Sequence, residues 1–134
     1  MKIRGKLTTE QQNPNSTKID RMTTKDILTM INDEDSQVAN AVKQAIPEIK
    51  LTVDLVVNSI SGGGRVFYVG AGTSGRLGVL DASEIPPTFS ASEDIFIGII
   101  AGGDGALRKS IEGAEDSKEK AINDLKSYEI NSTF

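Results

Sequence analysis

The sequence has no cysteine, no histidine and no tryptophan, and only two tyrosines and four phenylalanines among its 134 residues. Without thiols or imidazoles it cannot form disulfides, use a cysteine nucleophile, bind a metal through thiolate or imidazole, or call on histidine as the base near neutral pH. Acid–base chemistry therefore falls to carboxylates, lysine or tyrosine. An excess of positive charge is also missing: 15 Lys plus Arg stand against 19 Asp plus Glu, a net charge of -4. That excludes a phosphate-neutralising nucleic-acid surface. No apolar run approaches the ~20 residues of a membrane span. The opening MKIRGKLTTEQQNPN lacks the apolar middle segment of a secretory signal, so a cytoplasmic protein without membrane or nucleic-acid partners is expected. Length and a 37% apolar share suit one packed core.

Glycine is abundant but unevenly spread, with eleven of the 13 residues between Gly62 and Gly105. Residues 1–22 are polar, contain Asn13-Pro14-Asn15-Ser16 and show no periodicity, which predicts an extended N-terminal arm. Residues 23–61 read as N-terminal helices. One runs from Thr23 to Asp33, with Ile27, Leu28, Met30 and Ile31 behind Thr24 as its cap, and one starts at Ser36 with Val38, Ala41, Val42, Ala45 and Ile46 on a face. After a break at Pro47, a further stripe runs to Ser61. From Gly62 to Phe134 the grammar changes. Arg65-Val-Phe-Tyr-Val69 and Ile95-Phe-Ile-Gly-Ile-Ile-Ala101 are apolar, β-branched runs bounded by glycines, the signature of buried parallel strands. A compact helix between them, about Ser74 to Ser83, is expected to stop before Pro86-Pro87. A long helix from about Gly105 to Lys126 is expected to carry Leu107, Ile111, Ala114, Ala121, Ile122 and Leu125 on one face. The order predicts an α/β parallel sheet with right-handed crossovers. Two strands make a small sheet, and Tyr128–Phe134 resembles the approach to another strand, so the domain reads as truncated.

Three motifs could carry chemistry. Gly70-Ala-Gly-Thr-Ser-Gly-Arg-Leu-Gly78 lies where a strand yields to a helix, whose free N–H groups favour a phosphate, and Thr73 and Ser74 add hydroxyls. Its Gly70-x-Gly72-x-x-Gly75 spacing also meets the dinucleotide fingerprint. The following Pro86-Pro87, and a second strand ending in Ala101-Gly102-Gly103 without an acidic residue, weigh against a dinucleotide. A plain tight turn is the simpler alternative. In Asp81-Ala-Ser-Glu84-Ile-Pro-Pro87, Glu84 at the end of a short helix would meet the negative pole of the helix dipole, which suits a general acid. A solvated glutamate in a last turn stays open beside it, and Asp81 reads as a surface carboxylate. In Glu112-Gly-Ala-Glu115-Asp116, three acids would crowd one helix side next to a Gly113 that needs a reason. A solvated acidic face offset by Arg108, Lys109, Lys118 and Lys120 is the equal alternative.

Together these motifs resemble the N-terminal part of the N-acetylmuramic acid 6-phosphate etherases, bacterial enzymes of the sugar isomerase (SIS) fold. The stretches that carry the likeness are Thr9-Glu10 with Asn13-Pro14, Ile31-Asn-Asp-Glu-Asp35, Gly63-Gly-Arg65, the Gly70–Gly78 loop, Leu80-Asp-Ala-Ser-Glu84, Pro86-Pro-Thr88, Ile100-Ala-Gly-Gly103 and Glu112-Gly-Ala-Glu-Asp116. Ile85 departs from the cysteine that the family commonly places before the two prolines.

The resemblance implies the first two βα units of a SIS-type parallel three-layer sheet over residues 62–134. It also implies cleavage of a D-lactyl ether on carbon 3 of a sugar phosphate, by elimination and hydration, with no metal or organic cofactor. Glu84 would be the acid that protonates the departing lactate and Glu115 the base that takes the carbon-2 proton. Gly70, Gly72, Thr73, Ser74 and Gly75 would hold part of the sugar phosphate. Family members continue into a second phosphate loop, so this chain by itself is expected to be inactive or nearly so. Uncovered apolar faces and the family's habit of building sites between subunits predict a homodimer. The alternative is a phosphosugar-binding regulator of the glucokinase regulatory protein type, which would not need both acids. An aldose–ketose isomerase would want a further base.

Overall fold

A computed structural model describes residues 11–130. Thr9-Glu10 and the last four residues of the Tyr128–Phe134 segment fall outside that span. Seven elements follow in order: α1 (Thr24–Gln44), α2 (Ile46–Ser61), β1 (Val66–Gly70), α3 (Gly72–Phe89), β2 (Phe96–Ile100), α4 (Gly105–Arg108) and α5 (Lys118–Lys126). The chain divides into two compact units between Lys50 and Leu51, within α2.

In the first unit, Thr23 caps α1: its hydroxyl accepts from the Asp26 N–H at 3.2 Å and donates to the Asp26 carboxylate at 2.6 Å. The helix then runs unbroken where two helices were expected. Ser36, read as a helix start, instead donates its hydroxyl back to the Asn32 carbonyl at 2.8 Å, which keeps it inside the ladder. The break before Pro47 is present. Pro47 takes the second position of α2, where a missing N–H costs nothing. The described part of the N-terminal arm forms short 3-10 turns at Pro14–Ser16 and Ile19–Arg21. Asn13 and Asn15 donate their side-chain amides to the two carboxylate oxygens of Glu34 on α1, at 2.7 and 2.6 Å. The amides of Asn15 and, less strongly, Asn13 hold the Glu34 carboxyl below its usual range.

The second unit carries the sheet. β1 and β2 pair in parallel, with Val66 opposite Phe96, Tyr68 opposite Gly98 and Gly70 opposite Ile100 on one face, and Phe67–Ile97 and Val69–Ile99 on the other. This is the α/β arrangement that the alternation of glycines and β-branched runs predicts. α3 covers the Tyr68–Gly98 face. The approach is close enough that a Cβ on Gly98 would lie 2.6 Å from Val79 Cα, and one on Gly75 would lie 2.7 Å from both the Gly70 carbonyl oxygen and Ile100 Cγ1. The small core consists of Ile100 on this face and Ile99 on the other, together with Ala106 and Ala114. On the opposite face Phe67 meets the Tyr128 ring edge-on at 5.7 Å, and Arg65 lies over the Phe67 ring at 5.1 Å.

Two expectations in this unit are corrected. α3 does not stop before Pro86-Pro87 but continues to Phe89, ending at Ser90 with φ 52. Both prolines line a groove with Phe96 and Gly98, and the helix runs through them without the two hydrogen bonds that they cannot donate. The helix expected from Gly105 to Lys126 is also not formed as one piece. α4 is a single turn, residues 109–117 are irregular, and Gly113 has φ 72, which a helix cannot hold. Ile111 and Ala114 keep their apolar role without the helix, closing over Gly102 at the end of β2.

Two outcomes follow. Gly98→Ala should lower stability by about 1–3 kcal/mol through overpacking against Val79, read from urea unfolding. Because the Glu34 carboxyl is lowered in the folded state, its contribution is present above the ordinary carboxylate pKa and lost as pH falls through the lowered value. Protection of the Asn15 and Ser16 amides, measured relative to the unstructured exchange rate at each pH, should fall on acidification, and at neutral pH in Glu34→Gln.

Candidate functional site

Parallel α/β sheets bind ligands beyond the carboxyl ends of their strands, where loops and helix N-termini gather. β1 ends at Gly70 and passes through Ala71 directly into α3; β2 ends at Ile100 and turns through Ala101, Gly102 and Gly103. A cavity of about 470 Å³ opens at this end and spreads along the face opposite α3. Val69, Ile99 and Ala121 give it an apolar wall, Gly70 and Ala71 form its loop side, and Glu115 and Lys120 bring charge. A smaller cavity of about 140 Å³ adjoins it, sharing Ala71, Ala101, Ala114 and Glu115 and adding Gly72 and Arg76.

Glu115 thus meets Gly70 and Gly72 at one site. Its route there differs from the expected one: Glu115 lies in the irregular 109–117 segment, next to the buried Ala114, so Glu112, Glu115 and Asp116 do not share a helix side. Thr73 and Ser74 are exposed in the first turn of α3 and line neither cavity, while Gly75 is buried against the Gly70 carbonyl and Ile100. Gly75 therefore has a packing role that stands whatever the loop binds.

Glu84 lies elsewhere. It is an exposed residue of α3, twelve positions beyond Gly72 and so about 18 Å along the helix axis, and it lines neither cavity. With α3 continuing to Phe89, Glu84 is also not in the last turn, so the expected dipole effect on its carboxyl loses its basis. Asp81, read as a plain surface carboxylate, accepts a hydrogen bond from the Tyr68 phenol. Burial first, and then Asp81, push that phenol up to about 12.

Sequence reasoning passed over Arg76. Its Nε donates to the Leu107 carbonyl at 3.1 Å and its Nη2 to the Lys109 carbonyl at 3.4 Å, so one guanidinium caps the end of α4. α3 is thereby tied to the segment that leads to Glu115. An arginine in a glycine-rich loop reads equally well as an anion ligand, and nothing in its spacing reveals that it serves carbonyls. Among the described residues no cluster of carboxylates is arranged to hold a metal ion, and no helix is long and apolar enough to cross a membrane.

The glycine loop and the two strands behind it lie within residues 48–133, which match the family profile described as the glucokinase regulatory protein N-terminal SIS domain. The chain belongs to this SIS-domain family. Among relatives of this SIS-domain chain, a protein of Glaesserella parasuis named N-acetylmuramic acid 6-phosphate etherase is 52% identical over 131 residues, 98% of this chain and 43% of its own length. Proteins of the same name from Colwellia psychrerythraea and Escherichia coli O1:K1 are 54% and 48% identical over 94% and 93% of this chain, and over 41% and 42% of their own lengths. The chain therefore spans about two fifths of the curated relatives it matches, and corresponds to their N-terminal portion.

Replacing Arg76 by Ala should leave two carbonyls without their charged donor, cost about 1 kcal/mol, and raise amide exchange across residues 105–115. Arg76→Lys should recover only part of this, because an ammonium lacks the guanidinium fork. Unchanged exchange in Arg76→Ala would show that the two hydrogen bonds do not hold that segment.

Proposed function

We propose that this chain supplies the glycine loop and the catalytic carboxylates of an N-acetylmuramic acid 6-phosphate etherase acting in the cytoplasm on cell-wall sugar. The observation that carries the reading is that Glu115 lines one cavity with Gly70 and the smaller adjoining cavity with Gly72, both at the carboxyl end of the sheet. Main-chain amides at the start of α3 hold the sugar phosphate, with Thr73 and Ser74 at its edge. In the ring-opened aldehyde the carbon-2 proton is acidified by the neighbouring carbonyl, and the Glu115 carboxylate removes it. The electron pair left behind forms the carbon 2–carbon 3 double bond as the carbon 3–oxygen bond breaks. Glu84 protonates the departing lactyl oxygen, because an alkoxide leaves poorly without a proton. Water then adds at carbon 3 and a proton returns to carbon 2, giving N-acetylglucosamine 6-phosphate and D-lactate.

Within one chain Glu84 lies about a helix length from the glycine loop. The acid that meets Glu115's substrate is therefore taken from a second copy, in a homodimer whose sites are shared. Apolar side chains left uncovered support association, among them Leu51 and Leu55 at 63% and 70% exposure. The second reading is a non-catalytic sugar-phosphate sensor. The name of the matching profile and the separation of Glu84 from Glu115 favour it.

The two are separated in a full-length etherase relative substituted at the positions of Glu84 and Glu115. Glu84→Ala and Glu115→Gln should each slow lactate release from N-acetylmuramic acid 6-phosphate by about 10²–10⁴-fold. Mixing the two inactive proteins should restore about a quarter of the activity, since half of the dimers would hold one intact site. Wild-type rates in both variants would sink the etherase assignment. Two inactive variants that never complement would leave the chemistry and remove the shared site.

A further inference from the structure

The larger of the two cavities that Glu115 lines has one positive side chain, Lys120; the smaller one adds Lys109 and Arg76, whose guanidinium is held by the Leu107 and Lys109 carbonyls. Ser117 caps α5 by accepting from the Lys120 N–H at 3.3 Å, which sets Lys120 in the first turn of that helix. Lys120, Ala121, Asn123 and Asp124 then face the cavity together, as their three- and four-residue spacings require. The other charges on the lining are the carboxylates of Glu115 and Asp124, yet Lys120 forms no ion pair among the described residues. An unpaired ammonium therefore stands next to two acids and to an apolar wall made by Val69 and Ile99.

We propose that Lys120 is a specificity-determining residue that binds the carboxylate of the lactyl group, a proposal that rests on the etherase reading above. A lactyl ether presents a methyl group and a carboxylate on the same carbon, and the cavity offers an apolar wall and an ammonium side by side. The ligand's two anionic groups then find separate partners, the phosphate at the main-chain amides of the glycine loop and the carboxylate at Lys120. Without a cation, the lactyl carboxylate would face Glu115 and Asp124 across a cavity with one sign of charge, and binding would be opposed. The arrangement also favours turnover, because the sugar phosphate left after elimination has lost the group that Lys120 holds.

The test titrates the purified chain, its Lys120→Gln variant and its Lys120→Arg variant with N-acetylmuramic acid 6-phosphate and with N-acetylglucosamine 6-phosphate. Amide shifts at Gly70, Gly72 and Glu115 report binding, lactate is assayed at the end of each titration, and thermal unfolding of each variant checks the fold. Lys120→Gln should weaken the lactyl sugar roughly tenfold and leave the lactate-free sugar within about twofold, with Lys120→Arg restoring most of the loss. Equal weakening of both sugars would make Lys120 a phosphate or structural contact and overturn the proposal. So would an unchanged preference in Lys120→Gln, which would leave the etherase reading intact. Failure of the unsubstituted chain to bind either sugar would overturn that reading and the role of Lys120 with it.

Discussion

The second unit depends on how closely α3 lies on its two strands. Helix and sheet usually stand apart by the width of their side chains, but here Gly75 and Gly98 remove a side chain at the points of nearest approach. The Gly70 carbonyl and the first turns of α3 are drawn together by the same contact. A ligand loop and a packing seam are therefore one piece of backbone, which is why the glycine-rich motif reads both as a binding signature and as a plain structural turn. The two meanings divide along the loop: Gly70 and Gly72 line the cavities, whereas Gly75 is sealed beneath them.

Much of this architecture is legible from the residues. β-Branched runs between glycines mark two short parallel strands, although only the end of β2 is buried and Val69 of β1 is half exposed, and a capping threonine marks the start of α1, at Thr23 rather than Thr24. The errors have common physical origins. Ser36 resembles a cap because a serine hydroxyl can serve either the start of a helix or the carbonyl four residues back, and only the surrounding chain decides. Leu107, Ile111 and Ala114 repeat with a helical period, yet that period is also met by residues closing over the end of a strand. The two prolines suggest a stop, but α3 runs through them to Phe89 along a groove that they line with Phe96 and Gly98.

The candidate site was legible in part. Glu115 shares one cavity with Gly70 and an adjoining one with Gly72, whereas Thr73, Ser74, Gly75 and Glu84 line neither, and the path of the backbone to Glu115 is not the expected one. Lys120 and Arg76 carried no distinctive signal, since a lysine on a short polar helix and an arginine after a glycine loop are ordinary in composition. Their meaning comes from what surrounds them: carbonyls for Arg76, an otherwise acidic lining for Lys120. Cations in this domain thus have different uses: Arg76 and Arg65 donate to backbone carbonyls, and Lys120 stands on the cavity lining.

The absence of tryptophan gives the aromatic residues of the sheet an experimental value. The two tyrosines stand on opposite faces of the same strand pair, Tyr68 stacked at 6.1 Å on Phe96 beneath α3 and Tyr128 edge-on to Phe67 on the cavity side. Tyrosine emission from the protein is therefore the sum of one fluorophore on each face of the strand pair, and replacing either tyrosine by phenylalanine leaves the other as a native probe of its own side.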